Sequence, residues 1–473
     1  MPGFGVSFSS AANALSAIQQ ALDAVQNNVV NANTPGYAAQ RVNFSAQGFD
    51  PNQGLIGGVD VSLSSTRDLY LEQAVRKETS SLGLQEQKNS LLTGLQKVFS
   101  ASGDSGIPDA LSSFASSFAT LSAAPNDPTA RSGVLQAASG LADAFNHTSA
   151  QITQLATDAT QEANSVVSQI NQLSARLADL NSKIQNGGQK DAGLAADLNN
   201  SLERLSELAN ISVSQNPDGG VSVLLNGQTP LVLGTSAFAL AVRSNIRNPD
   251  LPNPTGDAGI AVVDGNGADL TGQIKDGKLG ALLEFRNQTV SFYLGDQSQV
   301  GELNRLASSF AARANTIITD AQTAEGSTIS PLFVFGLADS TKAAASLGMG
   351  TITPAQLVTS DGVTANGAAN ELADILDPAN SLDRMAGGET FGGFYSSLAA
   401  QAGSAASKAT SDLATQQSVT AQAQNQRTQG SGVSLNDQAA QLLSLQQAYQ
   451  ATARIITILT TLSQTAVNII PQA

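Results

Sequence analysis

The chain has 473 residues, a formal net charge of −15, 41% hydrophobic and 4% aromatic residues, and neither cysteine nor tryptophan. The length allows two or three domains, the acidic balance argues against a general nucleic-acid or anionic-membrane binder, and the missing thiols exclude disulfides and thiolate metal sites. Cores must therefore rest on Leu, Val, Ile and Ala, which suits slim helical layers better than a large globular pocket.

Near the N-terminus, Phe8, Ala11, Leu15, Ile18, Leu22, Val25 and Val29 recur at alternating spacings of three and four. The spacing predicts a helix over residues 8–31 with a coiled-coil seam along one face. Asn33-Thr34-Pro35-Gly36-Tyr37 stops it, because proline pushes Thr34 out of the helical region and Gly36 permits a turn with positive φ. The first basic residue is Arg41, so the basic segment of a cleavable signal peptide is missing. A turn-rich stretch with Gly54, Gly57 and Gly58 leads to the alternating Val59, Val61 and Leu63. Helices are then expected over residues 68–100, 109–123 and 129–144. Ile152, Leu155, Ala159, Val166, Ile170, Leu173, Leu177, Leu180 and Ile184 mark the longest one, ended by Asn186-Gly187-Gly188. Leu194, Leu198, Leu202, Leu205 and Leu208 mark the next.

The pattern then turns to β. Ile211/Val213, Val221/Val223/Leu225 and Leu231/Leu233 alternate, separated by Asn216-Pro217-Asp218-Gly219-Gly220 and Asn226-Gly227, both strong hairpin signals. Strand-like runs follow at residues 238–242 and 260–263. A helical period returns over 279–324, residues 326–365 are mixed, helices resume from about 371, and a long polar one covers 395–426. Gly430-Ser431-Gly432 breaks the chain, and Ser434 with Asp437 resembles a capping box. A second stripe follows: Leu442, Leu445, Tyr449, Thr452, Ile456, Leu459, Ser463, Ala466 and Ile470. The most apolar stretch, residues 455–470, is interrupted by polar residues and falls short of the roughly 20 that a membrane span needs.

The expected fold is mainly α with a β insert, an elongated nested rod in which the terminal helices pair as a coiled coil. Residues 1–66 and 430–473 form the terminal unit, 67–208 and 276–429 a helical body, and 209–275 a β-rich outer domain. Residues 1–40 contain one charge, Asp23, and residues 434–473 contain two, Asp437 and Arg454. An ordinary solvated coiled coil carries Glu, Lys and Arg on its outer faces. These outer faces are Ala, Gln, Asn, Ser and Thr, built to touch neighbours. The expected assembly interface is Leu15, Ile18, Leu22, Val25 and Val29 against Leu442, Leu445, Tyr449, Ile456 and Leu459. Arg454 can line an inner surface or pair with a neighbour's carboxylate.

For catalysis the chain offers little. His147 is its only histidine and sits in a helical, partly exposed context. No Gly-x-Ser-x-Gly elbow, His-Glu-x-x-His pair or Walker-type loop is present. Gly265-Asn266-Gly267 reads as a hairpin turn, and Asp127 with Arg131 as a helix-start salt bridge. No catalytic, cofactor or metal site is expected.

The run from Asn31 to Tyr37 after an apolar-periodic helix resembles the N-terminal signature of flagellar rod, hook and hook-associated proteins. Ser431-Gly432-Val433-Ser434-Leu435, then Leu445-Gln446-Gln447-Ala448-Tyr449-Gln450-Ala451 and Ala453-Arg454-Ile455-Ile456, resembles the C-terminal one. Pro125-Asn126-Asp127-Pro128-Thr129-Ala130-Arg131, Ile170-Asn171-Gln172-Leu173, Leu205-Ser206-Glu207-Leu208 and Gly280-Ala281-Leu282-Leu283-Glu284-Phe285-Arg286 narrow the likeness to the hook-associated branch. The segment at Asp197–Leu202 is less charged than that branch's, and the β insert is compact.

The resemblance implies a non-enzymatic, self-assembling axial component that joins hook to filament. It further implies hook protein and a second junction protein as partners, and an export chaperone on the C-terminal helix. Export would be extracellular, through the flagellar type III channel without a cleaved signal, and termini disordered in the monomer would fold on polymerising. A hook or distal rod protein is the nearest alternative, and a surface adhesin acting through residues 210–275 one of a different class.

Overall fold

The computed structural model of the chain describes residues 2–46, 59–99, 106–188, 191–244, 259–376 and 383–469. The glycines expected at 54, 57 and 58 and the stripe position Ile470 lie outside them.

Helix α1 (Pro2–Val30) leads through the Pro35-Gly36 turn into an antiparallel ribbon, β1 (Gln40–Ala46) and β2 (Val59–Ser65). Then come α2 (Leu69–Phe99), α3 (Ile107–Ala123), α4 (Pro128–Gln185) and α5 (Ala192–Leu208). An antiparallel meander follows: β3 (Ile211–Gln215), β4 (Val221–Leu225), β5 (Thr229–Leu233) and β6 (Ser236–Ala237), with β7 (Leu240–Ser244) and β8 (Ile260–Asp264) pairing beside it. The Asn226-Gly227 turn has φ of 49° and 71°, the left-handed pair that a two-residue hairpin requires. The chain returns through α6 (Gly277–Glu284), α7 (Val290–Leu294) and α8 (Glu302–Ala324). The small hairpin of β9 (Phe333–Phe335) and β10 (Leu347–Met349) is interrupted by α9 (Ala343–Ser346). Finally come α10 (Gly367–Ala373), α11 (Phe391–Ser431) and α12 (Leu435–Ile469). The nesting is plain in the packing: α1 lies on α12, and α2 lies on α11.

Two expectations need correction. Separate helices over 129–144 and from 152 onward are one helix, α4, of 58 residues. The polar run Asn146-His147-Thr148-Ser149 weakens the apolar period without supplying a breaker. Thr148 returns its hydroxyl to the Ala144 carbonyl at 2.9 Å, and the buried face continues from Leu141 and Phe145 to Ile152. Conversely, the helical run over 279–324 is interrupted. After α6 comes one π turn (Phe285–Thr289) and α7, and the chain then reverses through Gly295 and Gly301, with φ of 81° and 85°. A Cβ on Gly301 would lie 2.1 Å from the Gly295 nitrogen, so only glycine allows the crossing.

The body has one continuous apolar core, in which Phe114 meets Phe310, and Phe310 meets Phe391, at 5.3 Å between ring centroids. Its β segments are held to its helices by carboxamides rather than charges. The Asn171 side chain donates to the Leu240 carbonyl at 2.9 Å and accepts from the Leu240 N–H at 2.8 Å. Asn287 does the same to Ile260 and Asn315 to Phe333, all at 2.8 Å. Asn181, fully buried, clasps Val221 at 2.7 and 2.8 Å and donates also to Gly234 at 2.6 Å. Each clasp imitates the edge of a strand, satisfying a loop or strand backbone where no strand pairs.

Removing one clasp leaves buried backbone groups unmade, at about 1–3 kcal/mol per group. Asn181→Ala is therefore expected to lower the unfolding free energy by several kcal/mol, read as a lower denaturant midpoint at unchanged slope, whereas the same change at exposed Asn164 leaves it nearly fixed.

Candidate assembly interface

The terminal unit is built on α1 against α12. The buried positions of α1 are Ala17, Ile18, Ala21, Ala24, Val25 and Asn28. Leu15 and Leu22 are half-buried at the edge of that face, and Val29 is 43% exposed. The buried face of α1 thus reaches from Ile18 and Val25 of the expected stripe round to Ala17, Ala21 and Ala24, because α1 packs on β1 and β2 as well as on α12. Val29 stands outside the seam in the single chain, and Asn28 occupies it. On α12 the expected residues Leu442, Leu445, Tyr449, Ile456 and Leu459 all face inward but are only half-buried. Among the described residues, α12 contributes no fully buried apolar side chain, while Leu435, Leu443, Ile455, Ile458 and Leu462 are exposed.

The root of the pair is a fully buried carboxamide, Asn28. Its Nδ2 donates to the Gln40 carbonyl at 2.8 Å and to Gln438 Oε1 at 2.9 Å. Its Oδ1 accepts from the Tyr37 hydroxyl at 2.9 Å and from the Gln40 N–H at 2.8 Å. All four hydrogen-bonding positions of the amide are used. One side chain thus joins α1, the turn, β1 and α12, and burial raises the Tyr37 phenol above its ordinary pKa. Since α1 ends where α12 begins, the two helices run antiparallel from this point.

The motif residues divide by role. Asn33, Thr34 and Pro35 are exposed, and the turn closes with Tyr37 N–H on the Thr34 carbonyl at 3.1 Å. Gly36, at φ +76°, backs onto α5. A Cβ there would lie 2.6 Å from the Ala196 carbonyl oxygen and 3.0 Å from Asn200 N.

The Gly36 carbonyl accepts from Arg67 Nη2 at 2.5 Å, and Arg67 Nη1 meets Glu72 at 2.5 Å. Arg427 at the end of α11 binds Glu203 of α5 at 2.6 Å and Glu72 at 3.5 Å. Burial pulls the Arg67 and Arg76 guanidiniums below the ordinary arginine pKa, against the pull of Glu72. Ser431 completes the root: its carbonyl accepts from Ala39 N–H at 2.9 Å, and its hydroxyl from Asp68 N–H at 3.2 Å. The N- and C-terminal motifs thus meet around a cleft of about 210 Å³.

Other candidates take structural places. His147 is exposed and pairs with Gln151 at 3.0 Å. Asp127 caps α4 through the Thr129 N–H at 2.8 Å instead of bridging to Arg131, which donates to the Pro125, Pro354 and Leu357 carbonyls. Among the described residues no helix is long and apolar enough to cross a membrane, and no cluster of histidines and carboxylates could hold a metal.

The sequence pattern of the flagellar hook-associated protein FlgK helical domain matches residues 92–333. Patterns described as flagella basal body rod protein and flagellar basal body rod FlgEFG protein C-terminal match residues 8–37 and 424–469. Flagellar hook-associated protein 1 of Bacillus subtilis (strain 168) is 26% identical, over 97% of this chain and 97% of its own. The protein of that name from Salmonella typhimurium is 26% identical over 69% of this chain and 59% of its own. The solved flagellar hook junction protein FlgK from Burkholderia pseudomallei has the same fold, with a TM-score of 0.63, 15% identity, and coverage of 76% of this chain and 99% of that one.

Gly36→Ala forces a strained φ, at about 1–2 kcal/mol, and drives the turn off α5. It is expected to speed proteolysis between residues 30 and 66 while leaving the body's melting temperature nearly unchanged. Asn28→Ala, which leaves the buried Gln40 groups and Gln438 short of partners, is expected to do the same, with Tyr37→Phe milder at about 0.5–1.5 kcal/mol.

Proposed function

The chain belongs to the flagellar hook-associated protein FlgK family and is a structural component of the hook–filament junction; from that premise we propose that it works by polymerising through α1 and α12. The observation that carries this reading is the burial deficit of α12. A 35-residue helix whose half-buried apolar face meets only one partner, and whose opposite face exposes further Ile and Leu, gains too little from pairing to hold itself. Contacts from neighbouring copies make up the difference, and the sparse charge of both helices keeps small the number of ions that those contacts strip of water.

In this reading Ile18 and Val25 already pack within the chain, Leu15, Leu22 and Val29 with the half-buried Leu442, Leu445, Tyr449, Ile456 and Leu459 complete their burial in the polymer, and all ten belong to the assembly interface. Residues 1–66 and 430–473 are the assembling unit, 67–208 and 276–429 the body, and 209–275 the outer β segment. Asn33, Thr34, Pro35, Gly36 and Tyr37 fix the angle between the first two. The terminal helices are loose in the exported monomer and become ordered in the polymer. The protein lies outside the cell, exported without cleavage, with hook protein on one side, the second junction protein on the other, and a chaperone covering the C-terminal helix beforehand. Its role is structural, not enzymatic.

Two experiments test the reading. Deleting the gene should leave hooks in place while filament subunits are shed unassembled; intact filaments would contradict it. In Leu22→Asp, a half-exposed position gains a charge that only the polymer buries. An unpaired buried carboxylate costs about 3–5 kcal/mol, so incorporation should fall about a hundredfold or more while the soluble chain melts as before.

A further inference from the structure

The charges on the terminal helices are Asp23, Asp437 and Arg454. Asp437 lies in the first turn of α12, where the peptide dipoles favour a carboxylate. Asp23 and Arg454 have no such explanation. Each stands mid-helix and exposed, with no hydrogen-bond or ion-pair partner among the described residues.

Their surroundings are complementary. Arg454 emerges on the face of α12 turned from α1, beside Ile455, Ile458 and Leu462, which are 51%, 58% and 49% exposed. Asp23 projects from the face of α1 opposite Ala21 and Val25 into a groove of about 500 Å³. Asn27 and Asn31 of α1, Leu63 of β2 and Asp191 at the start of α5 wall this groove. Asp191 is engaged as the cap of α5, accepting from Gly193 and Leu194 N–H at 2.8 and 3.1 Å. Asp23 is the uncommitted carboxylate, flanked by carboxamides and one apolar wall that suits the stem of an arginine.

Within one chain the two cannot meet. The Asn28–Gln438 bond sets the helices in register. From there Asp23 lies five residues along α1 and Arg454 sixteen along α12, which separates them by roughly 16 Å at 1.5 Å per residue.

We propose that Arg454 of one copy enters this groove on a neighbouring copy and pairs with its Asp23. The pairing rests on the assembly reading above and adds the contact that sets how far two copies are offset along their helices, by roughly the same 16 Å. Covering Ile455, Ile458 and Leu462 in a polymer strips water from the Arg454 guanidinium, which is tolerated only with a carboxylate in reach. The Asp23 groove supplies one without a competing partner.

The test uses the full-length chain in its host in place of the parent, reading the amount recovered with isolated hook–filament particles. Asp23→Arg and Arg454→Asp should each reduce recovery about ten- to hundredfold. The double swap D23R/R454D, and co-expression of the two single variants, should restore it to near the parent level. Full recovery of either single variant, or no rescue by the swap, overturns the pairing while leaving the assembly reading in place. Absence of the parent chain itself from the particles overturns both.

Discussion

The terminal helix pair is tied to the rest of the molecule at one end only, through groups buried where its two helices start and stop. Asn28 spends every hydrogen-bonding position on that junction, Ser431 binds both the β1 and α2 entries, and Arg67 links the Gly36 turn to Glu72. A buried carboxamide without partners is costly, so its fourfold satisfaction specifies one geometry rather than several. From this root α1 and α12 extend as a lever whose position is set at Gly36, pressed against α5, and whose length is held by little else.

Body and termini solve the same problem, packing without many charges, in opposite ways. The body encloses its apolar residues in a continuous core and fastens its β segments with the carboxamides of Asn171, Asn181, Asn287 and Asn315. The termini bury Ile18 and Val25 with small alanines on α1 and leave other large apolar residues at the margins and on the reverse of α12. One arrangement is complete within a chain. The other is open, and its openness is what a polymer of such chains requires.

Much of this was legible in the sequence. Alternating spacings located α1 and α12, hairpin dipeptides located β3 to β5, and Pro35-Gly36 located the turn, because each rests on a local rule. What was not legible depends on distant partners. Asn28, beside Val29 of the apolar stripe, looks like one more uncharged outer residue until Tyr37, Gln40 and Gln438 are placed around it. The spread of the buried face of α1 from Ile18 and Val25 to Ala17, Ala21 and Ala24 reflects its packing on β1 and β2 as well as on α12, which a heptad stripe does not show. The unity of α4 was hidden by polar residues at 146–149, two of which, Thr148 and Ser149, turn out to be buried. Glu72 and Arg427 lie far apart in sequence, and no spacing rule links them.

Amide hydrogen exchange, compared between the soluble full-length chain and the polymer, addresses the burial deficit of α12 directly. The account predicts that in the soluble chain amides along residues 442–465 exchange far faster than those of α4 and α8, with protection rising only toward the Asn28–Gln438 root, and that polymerisation slows them to the level of the body. Body-like protection along the whole of α12 in the lone chain would contradict it.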